Sequence, residues 1–575
     1  MECSCDLGMP NNRLSRDERA GVELGGVAPF SRQACEAERK GYGMRVAVVD
    51  LFAGAGGLGE GFASFSDVTA GVTFEDVMSV EENSAAHSTL LLRAWQRRLR
   101  SEGMSLDSWR EYVRGHTLQP WRTGTEQQLW EQAELVARLA SLGDTSDDLA
   151  LADLAARQCE GYDARILIGG PPCQAYSIVG RARNRAEAGY RAEEDKRHYL
   201  YQSYLAFLCR LRPEIFVIEN VKGLVTSNVS GMRVLHNMLR DLSDPGAATG
   251  RKGAARYRIH AFGKNIRLDD REACDLGSNL DIHLATEDLG IPQTRHRVIL
   301  IGIREDIDGT PEMPAMRPRK AVSTVLNDLP KLRSGLSRND SPDAWVNAVR
   351  DQARKVAKML DRKEPDISRW LRDWHFMFGS DLTSRGGLFL PSEAGHPDVG
   401  GVLNHESRSH MPSDLGRYLF CSAWGQLNGY SPKAREFPKG LWPDHDSWSK
   451  GHFEDRFKVQ VGGQPAYTIM SHIAKDGHYY IHPDTFQCRS LTVREAARIQ
   501  TFPDDYFFTG NRTQQYVQVG NAVPVMLARE IAVAVAALLI GASSSETREA
   551  CLPMYESGRT CSPHDSELSL AVGKA

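Results

Sequence analysis

Residues 44–65 read MRVAVVDLFAGAGGLGEGFASF, and this stretch decides the fold that the sequence predicts. The valine-rich run Met44 to Phe52 predicts a buried β-strand. A glycine-rich turn follows it, and the residues from Leu58 to Phe65 predict the start of a helix. A strand, a glycine turn and a helix in this order bring backbone N–H groups and a helix N-terminus close to a ligand. The stretch therefore predicts an α/β sheet with a ligand site at the end of this strand.

An acidic residue closes the second predicted strand, which runs from Val77 to Val80. Glu81 at its end suits a pair of ribose hydroxyls, although a solvated carboxylate is the alternative. No phosphate-binding lysine follows the glycines of the first turn, which argues against a Walker-type nucleotide site. A ligand with a ribose but without a triphosphate is therefore favoured.

A cysteine follows the third predicted strand, in the stretch 164–177, which reads ARILIGGPPCQAYS. Two consecutive prolines cannot continue a strand ladder, so the chain leaves the sheet just before Cys173. Cys173 then lies at a stiff strand end, where open parallel sheets carry their chemistry. The connection 178–196 is rich in glycine and arginine, which favours a mobile loop that meets phosphates over a merely basic surface loop.

Further charged residues follow two later predicted strands. The run Glu214 to Ile218 predicts a strand, and Glu219 stands at its end. In the segment 293–297, QTRHR, Arg295 and Arg297 alternate, so in an extended backbone they would point to one face. Two arginines beside an apolar strand need a partner, and a structural ion pair is the alternative to a catalytic role.

Bulk composition limits the class of protein. The 575 residues, 25% of them charged and 41% hydrophobic, are typical of a soluble globular protein with more than one domain. The net charge of -4 is not that of a nucleic-acid binder, so any DNA site must come from local clusters of Lys and Arg. The eleven cysteines lack paired metal-ligand spacing, so we predict reduced thiols in the cytoplasm and no metal site. No signal peptide is visible, and the apolar run 531–542 is too short for a membrane span and predicts a packing helix.

Six segments, taken in chain order, resemble the motifs of the DNA (cytosine-5) methyltransferase family. They are Asp50 to Gly57 (DLFAGAGG), Pro172-Cys173, Glu219 to Val221 (ENV), Gln293 to Arg297 (QTRHR), Arg489 to Phe502 (RSLTVREAARIQTF) and Gln518 to Pro524 (QVGNAVP). The resemblance covers roughly residues 44–303 and 488–539. It implies an α/β fold: a Rossmann-like core that depends on S-adenosylmethionine, with a second, smaller target-recognition lobe.

The resemblance also implies which residues bind the cofactor and which act on the base. The residues that match the family's S-adenosylmethionine positions are Phe52, Ala53, Gly54, Gly56, Gly57, Glu81, Pro172, Leu200 and Asn521. Asp144 is a candidate for the contact to the adenine amino group. The catalytic residues would be Cys173, Glu219, Arg295 and Arg297. Cysteine suits addition to carbon 6 of cytosine, because a thiol near neutral pH is partly ionised and strongly nucleophilic.

We expect five parts along the chain. They are a disordered tail (1–42), the catalytic core (43–310, with a helical insertion at about 84–158), the target-recognition lobe (311–487), a return segment completing the core (488–541) and a second disordered tail (542–575). Within the insertion, Leu135, Leu139 and Leu142 have helical spacing. Its run of Arg93, Arg97, Arg98 and Arg100 would either touch DNA or form a solvated helix face.

The expected activity is methyl transfer from S-adenosylmethionine to carbon 5 of cytosine in a specific sequence of duplex DNA. Base flipping and a covalent Cys173 adduct would serve it, in a bacterial restriction-modification or defence system. The implied partners are duplex DNA and a cognate restriction endonuclease or defence proteins; we expect a monomer with no membrane contact. Two alternatives stay open: a transfer-RNA cytosine-5 methyltransferase, and a DNA-binding regulator with a methyltransferase-like core. The large lobe favours duplex DNA, and the presence of Cys173, Glu219 and Arg297 argues against the regulator.

Overall fold

The structure is a computed structural model that describes residues 43–66, 71–171, 200–226, 228–229, 232–264, 266–268, 281–377, 382–444, 448 and 456–541. The terminal segments 1–42 and 542–575, for which the sequence predicts disorder, lie outside the described residues. Pro172, Cys173 and the basic connection 178–196 also lie outside them.

The described strands and helices alternate through the first half of the chain. The strands are β1 (Met44–Leu51), β2 (Val72–Glu81), β3 (Ala137–Leu139), β4 (Ala164–Gly169), β5 (Ile215–Val221), β6 (Asn228–Val229), β7 (Met232–Arg233), β8 (Tyr257–Ala261), β9 (Ile266–Arg267), β10 (Leu284–Ala285), β11 (Gln293–Thr294), β12 (His296–Arg304), β13 (Gly335–Leu336), β14 (Gly386–His396), β15 (Gly401–Glu406), β16 (Ser409–His410) and β17 (Ala466–Tyr467). The helices are α1 (Gly57–Ser66), α2 (Ser84–Ser101), α3 (Asp107–Val113), α4 (Gly124–Val136), α5 (Thr145–Gln158), α6 (Tyr201–Leu211), α7 (Val234–Ser243), α8 (Pro245–Thr249), α9 (Ser323–Leu326), α10 (Pro342–Leu360), α11 (Pro365–Met377), α12 (Pro412–Asn428), α13 (Val493–Ile499), α14 (Arg512–Asn521) and α15 (Val525–Ile540).

One mixed sheet organises the described part of the core. Its strand order is β3-β2-β1-β4-β5-β12-β8-β9, and β10 pairs with β12. Strands β3, β2, β1, β4 and β5 are parallel to one another, whereas β12 is antiparallel to both β5 and β8. The direction of winding reverses between β1 and β4, and a ligand crevice is expected at the carboxyl ends of strands at such a point.

Both faces of this sheet are covered by helices. On β1, Val46 and Val48 pack into one apolar cluster, and Ala47, Val49 and Leu51 pack into another. The first cluster includes residues of α1 and α15, and the second includes residues of α5, α6 and α7. Because β1 is buried on both faces, its sequence is a continuous apolar run. The predicted α/β class with a Rossmann-like core is therefore confirmed.

The region after β12 has an apolar cluster of its own. This cluster draws its residues from Leu336 to Cys488, mainly from α10, α11 and α12. The segment that follows returns to the main sheet, where α15 packs on α1. The stretch Arg512–Ile540 is long and apolar enough to cross a bilayer, but 61% of its most apolar window is buried inside the protein, as in a packing helix.

The segment 84–158 differs from the prediction in two ways. Helix α4 ends at Val136, and Leu139 lies in the edge strand β3. The helical spacing of Leu135, Leu139 and Leu142 was therefore misleading: residues 137–139 pair with 79–81 of β2, which satisfies their backbone groups in an extended form. The second difference concerns Arg93 and Arg97, which are ion-paired in the interior, on neither a DNA face nor a solvated one.

Candidate active site

The turn between β1 and α1 has a conformation that requires glycine. Gly54 and Gly56 have φ values of +58° and +80°, a region that side chains rarely adopt. A Cβ atom on Gly57 would stand 2.3 Å from the carbonyl oxygen of Val523, so the return segment closes this side of the turn. Among the residues that the structure describes, and leaving out the chain neighbours of Gly54, none has a heavy atom within 4 Å of the corresponding position on Gly54. The turn is thus packed at Gly57 and open at Gly54, where a ligand can approach the backbone.

Glu81 lies beside the open part of this turn. Its Oε2 accepts a hydrogen bond from the Gly54 N–H at 2.9 Å, and its Oε1 accepts one from the Asn83 N–H at 2.8 Å. Burial raises the pKa of this carboxyl group, against the lowering effect of the two N–H donors. Each carboxylate oxygen can accept a second hydrogen bond, which suits the hydroxyls of a ribose.

Three more predicted cofactor residues lie around the turn. Phe52, with a φ of +58°, packs against the same apolar cluster as Leu142. The side chain of Leu200 at the start of α6 stands 3.1 Å from where a Cβ would lie on Gly143, the neighbour of Asp144. Ala53 is buried, and its N–H donates to the Val80 carbonyl at 3.0 Å.

The remaining two cofactor candidates have different surroundings. Asp144 is exposed and caps α5, accepting hydrogen bonds from the N–H groups of Ser146 and Asp147. Asn521 is exposed at the end of α14, two residues before the Val523 carbonyl that faces Gly57. Pro172, also predicted to bind the cofactor, lies outside the described residues.

Glu219 and Arg297 form an ion pair at the carboxyl end of β5. The Arg297 Nε donates to Glu219 Oε1 at 2.7 Å, and both side chains are 12% exposed. Glu219 Oε2 would stand 3.2 Å from a Cβ on Gly170, so the pair lies against the chain three residues before Cys173. Cys173 itself lies outside the described residues, so its side-chain geometry stays a prediction.

Arg295 has partners other than those of Arg297. It is buried, and its Nη1 donates to the carbonyl of Ile469 at 2.7 Å. The same nitrogen lies 3.5 Å from the Gly520 carbonyl, in the return segment. Arg295 lies between β11 and β12, outside both strands, so despite their alternation in the sequence the two arginines donate these hydrogen bonds to different groups. Arg295 thereby joins two distant backbone segments beside the strand that carries Arg297.

The strand register places the glycine turn after β1 and Glu219 of β5 at the same edge of the sheet. Leu51 of β1 is opposite Gly169 of β4, and Gly169 is opposite Ile218 of β5. Adjacent strands lie about 4.8 Å apart, so the glycine turn and Glu219 are separated by two strand spacings, roughly 10 Å. A ligand at the turn and a ring in contact with the Glu219–Arg297 pair would therefore be neighbours.

Sequence reasoning missed the residues that support this edge from behind. Tyr506 donates its O–H to the Ala55 carbonyl in the turn at 2.5 Å, and Arg93 lies over the Tyr506 ring. The two bonded residues are 451 positions apart in the chain, and no periodicity links them. The run of arginines on α2 can be seen in the sequence, but the sequence does not show which residues these arginines contact.

Comparison with known proteins adds independent findings. The family model described as "C-5 cytosine-specific DNA methylase" matches residues 146–247 and 275–537. The type II methyltransferase M.Bpa9945I of Bacillus paralicheniformis is 31% identical over 511 residues, which are 86% of this chain and 99% of that protein. The type II methyltransferase M.AgeI of Thalassovita gelatinovora is 28% identical and covers 64% of this chain and 81% of its own. The DNA (cytosine-5-)-methyltransferase M.ApeKI of Aeropyrum pernix is 27% identical, covering 66% and 82%.

Proposed function

The chain belongs to the C-5 cytosine-specific DNA methylase family and is a DNA (cytosine-5-)-methyltransferase, and from this premise we propose how it acts. It transfers a methyl group from S-adenosylmethionine to carbon 5 of a cytosine that lies in a specific sequence of duplex DNA. The observation that carries the proposal is the Glu219–Arg297 pair, 2.7 Å apart, at the same sheet edge as the glycine turn.

S-adenosylmethionine fits the residues around that turn. The open backbone at Gly54 and the carboxylate of Glu81 suit a ribose, and Phe52 and Leu200 suit the flat face of an adenine. Asn521 and Pro172 would complete the surroundings, with Ala53, Gly56 and Gly57 shaping the turn. When bound, the cofactor supplies an electrophilic methyl group on sulfonium sulfur.

The base is activated by addition of a thiolate. Cys173 Sγ forms a bond to carbon 6 of the cytosine, and the electron pair moves into the ring toward N3, so that carbon 5 becomes nucleophilic. We assign to Glu219 the proton shared with N3, and to Arg297 the contact that stabilises charge at O2. Arg295 is assigned to holding the backbone around the nucleophile. After carbon 5 gains the methyl group, a base removes its proton and the electron pair expels the Cys173 thiolate.

This chemistry needs the cytosine outside the duplex. Its faces are covered by neighbouring bases, so the nucleotide must swing out at a cost of a few kcal/mol. The basic connection 178–196, which begins just after the nucleophile, is the segment we assign to contacts with the opened duplex. The region 311–487, which has its own apolar cluster, is the segment we assign to sequence recognition.

A restriction-modification role is the favoured biological setting, because the relatives M.Bpa9945I and M.AgeI are named type II methyltransferases. On this proposal the protein acts as a monomer in the bacterial cytoplasm, and a cognate endonuclease shares its target sequence. Size-exclusion chromatography with light scattering tests the monomer, and the neighbouring genes test the endonuclease.

Transfer of tritiated methyl groups from S-adenosylmethionine tests the activity directly. Duplex DNA should be labelled and transfer RNA should not, and bisulfite sequencing of a plasmid from expressing cells should report one recurring sequence. Cys173→Ala should label neither while still binding the duplex, whereas Cys209→Ala, at a half-buried thiol on α6, should retain activity. Labelling of RNA alone, or of neither substrate by the wild type, would overturn the proposal.

A further inference from the structure

The glycine turn depends on support from outside its own segment. Phe52 has a φ of +58°, which costs free energy for a residue with a side chain. Such a conformation persists only where neighbouring contacts hold it. One of these contacts comes from far along the chain: the buried hydroxyl of Tyr506 donates to the Ala55 carbonyl at 2.5 Å.

Tyr506 and Leu90 together fill the space next to Gly56. A Cβ on Gly56 would stand 2.9 Å from the Tyr506 hydroxyl and 2.7 Å from Leu90 Cδ2. Leu90 belongs to α2, and Tyr506 follows α13 in the return segment. The packed side of the turn is therefore built by two elements that are remote in sequence, while Gly54 stays open.

Arg93 of α2 fixes the position of Tyr506. Its guanidinium carbon lies 5.0 Å from the centroid of the Tyr506 ring, a cation–π geometry. The same guanidinium donates to Glu60 of α1 at 2.5 Å and to Asp505, the neighbour of Tyr506, at 2.8 Å. One side chain thus joins α1, α2 and the return segment.

This ion-pair group is largely buried, and each of its two carboxylates has two guanidinium partners. Burial alone would raise the pKa of Glu60, but Arg93 and Arg97 outweigh it and lower the pKa to about 2. Arg100 adds a second partner for Asp505, at 2.8 Å. Buried charges that compensate each other hold a fixed geometry, because movement of one leaves the others unpaired.

We propose that Tyr506 is a positioning residue for the cofactor: its hydroxyl keeps the turn from Phe52 to Gly57 in the shape that accepts S-adenosylmethionine, and Arg93 holds Tyr506 in place. The inference rests on the proposed function, which makes S-adenosylmethionine the ligand of this turn. The inference also gives the segment 84–158 a role, since α2, its first helix, packs against the glycine turn and Tyr506 on the side away from the proposed cofactor.

The variant Tyr506→Phe removes the hydroxyl and little else. The Kd for S-adenosylmethionine, measured by isothermal titration calorimetry, should rise about three- to tenfold, the size expected for one buried hydrogen bond. The KM for the cofactor should rise with it, while kcat at saturating cofactor stays within about twofold.

Tyr516→Phe is the matched control. Tyr516 is as buried as Tyr506, lies in the same apolar cluster, and donates to the Leu491 carbonyl at 2.6 Å. This variant should lose similar stability in urea but keep the wild-type Kd. An unchanged Kd in Tyr506→Phe, or an equal rise in both variants, would overturn the inference.

A second pair of variants applies should Tyr506→Phe not fold. Leu90 and Leu91 are both 7% exposed on α2, but it is Leu90 that reaches the Gly56 position. Leu90→Ala should weaken cofactor binding more than Leu91→Ala, and equal effects would contradict the inference. A wild-type protein that binds no S-adenosylmethionine would instead contradict the proposed function.

Discussion

At the scale of single residues, the candidate chemistry depends on a charge pair at a strand end. Glu219 and Arg297 are 2.7 Å apart in a partly buried setting, where electrostatic interactions are stronger than in water. The same two strands have a second pair near their other end, Glu214 and Arg304 at 2.8 Å. The two pairs are alike in chemistry, but it is the first that lies against Gly170, at the same edge of the sheet as the glycine turn.

Glu219→Gln is expected to lower kcat by about 10²–10³-fold, because an amide cannot share a proton with N3 of the ring. Single-turnover transfer of tritiated methyl groups measures this step. Glu214→Gln is the control and should keep kcat within about twofold, since a change far from the reacting atoms has little effect on the transition state. Comparable losses in both variants would assign the effect to folding and would remove Glu219 from the mechanism.

Asp50 gives a second prediction at this scale, on pH. It is 1% exposed, and burial, with Asp76 nearby, raises its pKa well above the ordinary 3.8. The folded state therefore binds this proton more tightly than the unfolded chain, so ionisation of Asp50 costs stability as the pH rises above about 4.

The variant Asp50→Asn should remove this cost. Its free energy of unfolding, relative to the wild type, should improve from pH 5 upward, because the unfolded wild-type chain has released the Asp50 proton while the folded protein retains it. Urea titrations at pH 5, 6, 7 and 8 measure the difference between the two proteins. A difference that does not change with pH would show that the folded and unfolded wild-type protein bind the Asp50 proton equally, and would contradict the raised pKa.

At the scale of elements, α2 connects regions that the chain separates widely. Its Thr89 hydroxyl donates to Gln518 of α14 at 2.7 Å, and its arginines reach α1 and the return segment. Arg100 also pairs with Asp398, in the turn between β14 and β15, at 3.0 Å. The helix therefore links the described elements around it, and this explains why Arg93 is neither solvated nor directed at a ligand, whereas Arg98 is half-buried and Arg100 is exposed.

Arg93→Ala should destabilise the protein by about 1.5–3 kcal/mol, because Glu60 and Asp505 would each lose one of their two guanidinium partners in a buried setting. Urea unfolding followed by circular dichroism measures the loss. Arg98→Ala, on the same helix, is the control: Arg98 is half-buried and donates to Gln132 at 3.0 Å, so its removal should cost about 1 kcal/mol or less. Similar losses of stability in the two variants would contradict the inference that Arg93 links α2 to its neighbouring elements.

At the scale of the whole molecule, a net charge of -4 must be reconciled with a DNA substrate. Binding to phosphates requires positive charge, so the charge must be distributed unevenly over the surface. Several arginines are buried and cannot contact DNA. Arg489 donates a hydrogen bond to Glu495 at 2.6 Å, and Arg494 donates to backbone carbonyls of the return segment. The remaining Lys and Arg have to supply the DNA face.

The affinity for duplex DNA should therefore depend steeply on salt despite the acidic total. Each phosphate contact should contribute a slope of about 0.9 to the plot of log K against log salt concentration. Fluorescence anisotropy with a labelled duplex measures this dependence. Between 50 and 200 mM salt, several phosphate contacts should lower the affinity by roughly tenfold to thousandfold. An affinity that does not fall with salt would exclude a phosphate-binding face.

The sequence by itself determined where several core strands lie along the chain and which residue types stand at their ends. Buried strands of a parallel sheet are continuous apolar runs, so β1, β4 and β5 were predicted within a few residues, and glycine identity marked the turn after β1. The pattern placed Glu81 and Glu219 at strand ends, but their roles followed from the resemblance of the chain's motifs to those of the family. Helical spacing failed at Leu139, where the edge of β2 offered the backbone a better partner.

Only the tertiary structure decided which distant residues meet. Arg93 pairs with Asp505 across 412 positions, and Tyr506 reaches Ala55 across 451. A local pattern records how a segment buries its own apolar face, but it carries no information about which other segment packs there. The support behind the cofactor turn was therefore invisible in the sequence, because it arises when α2 and the return segment pack against the same glycines.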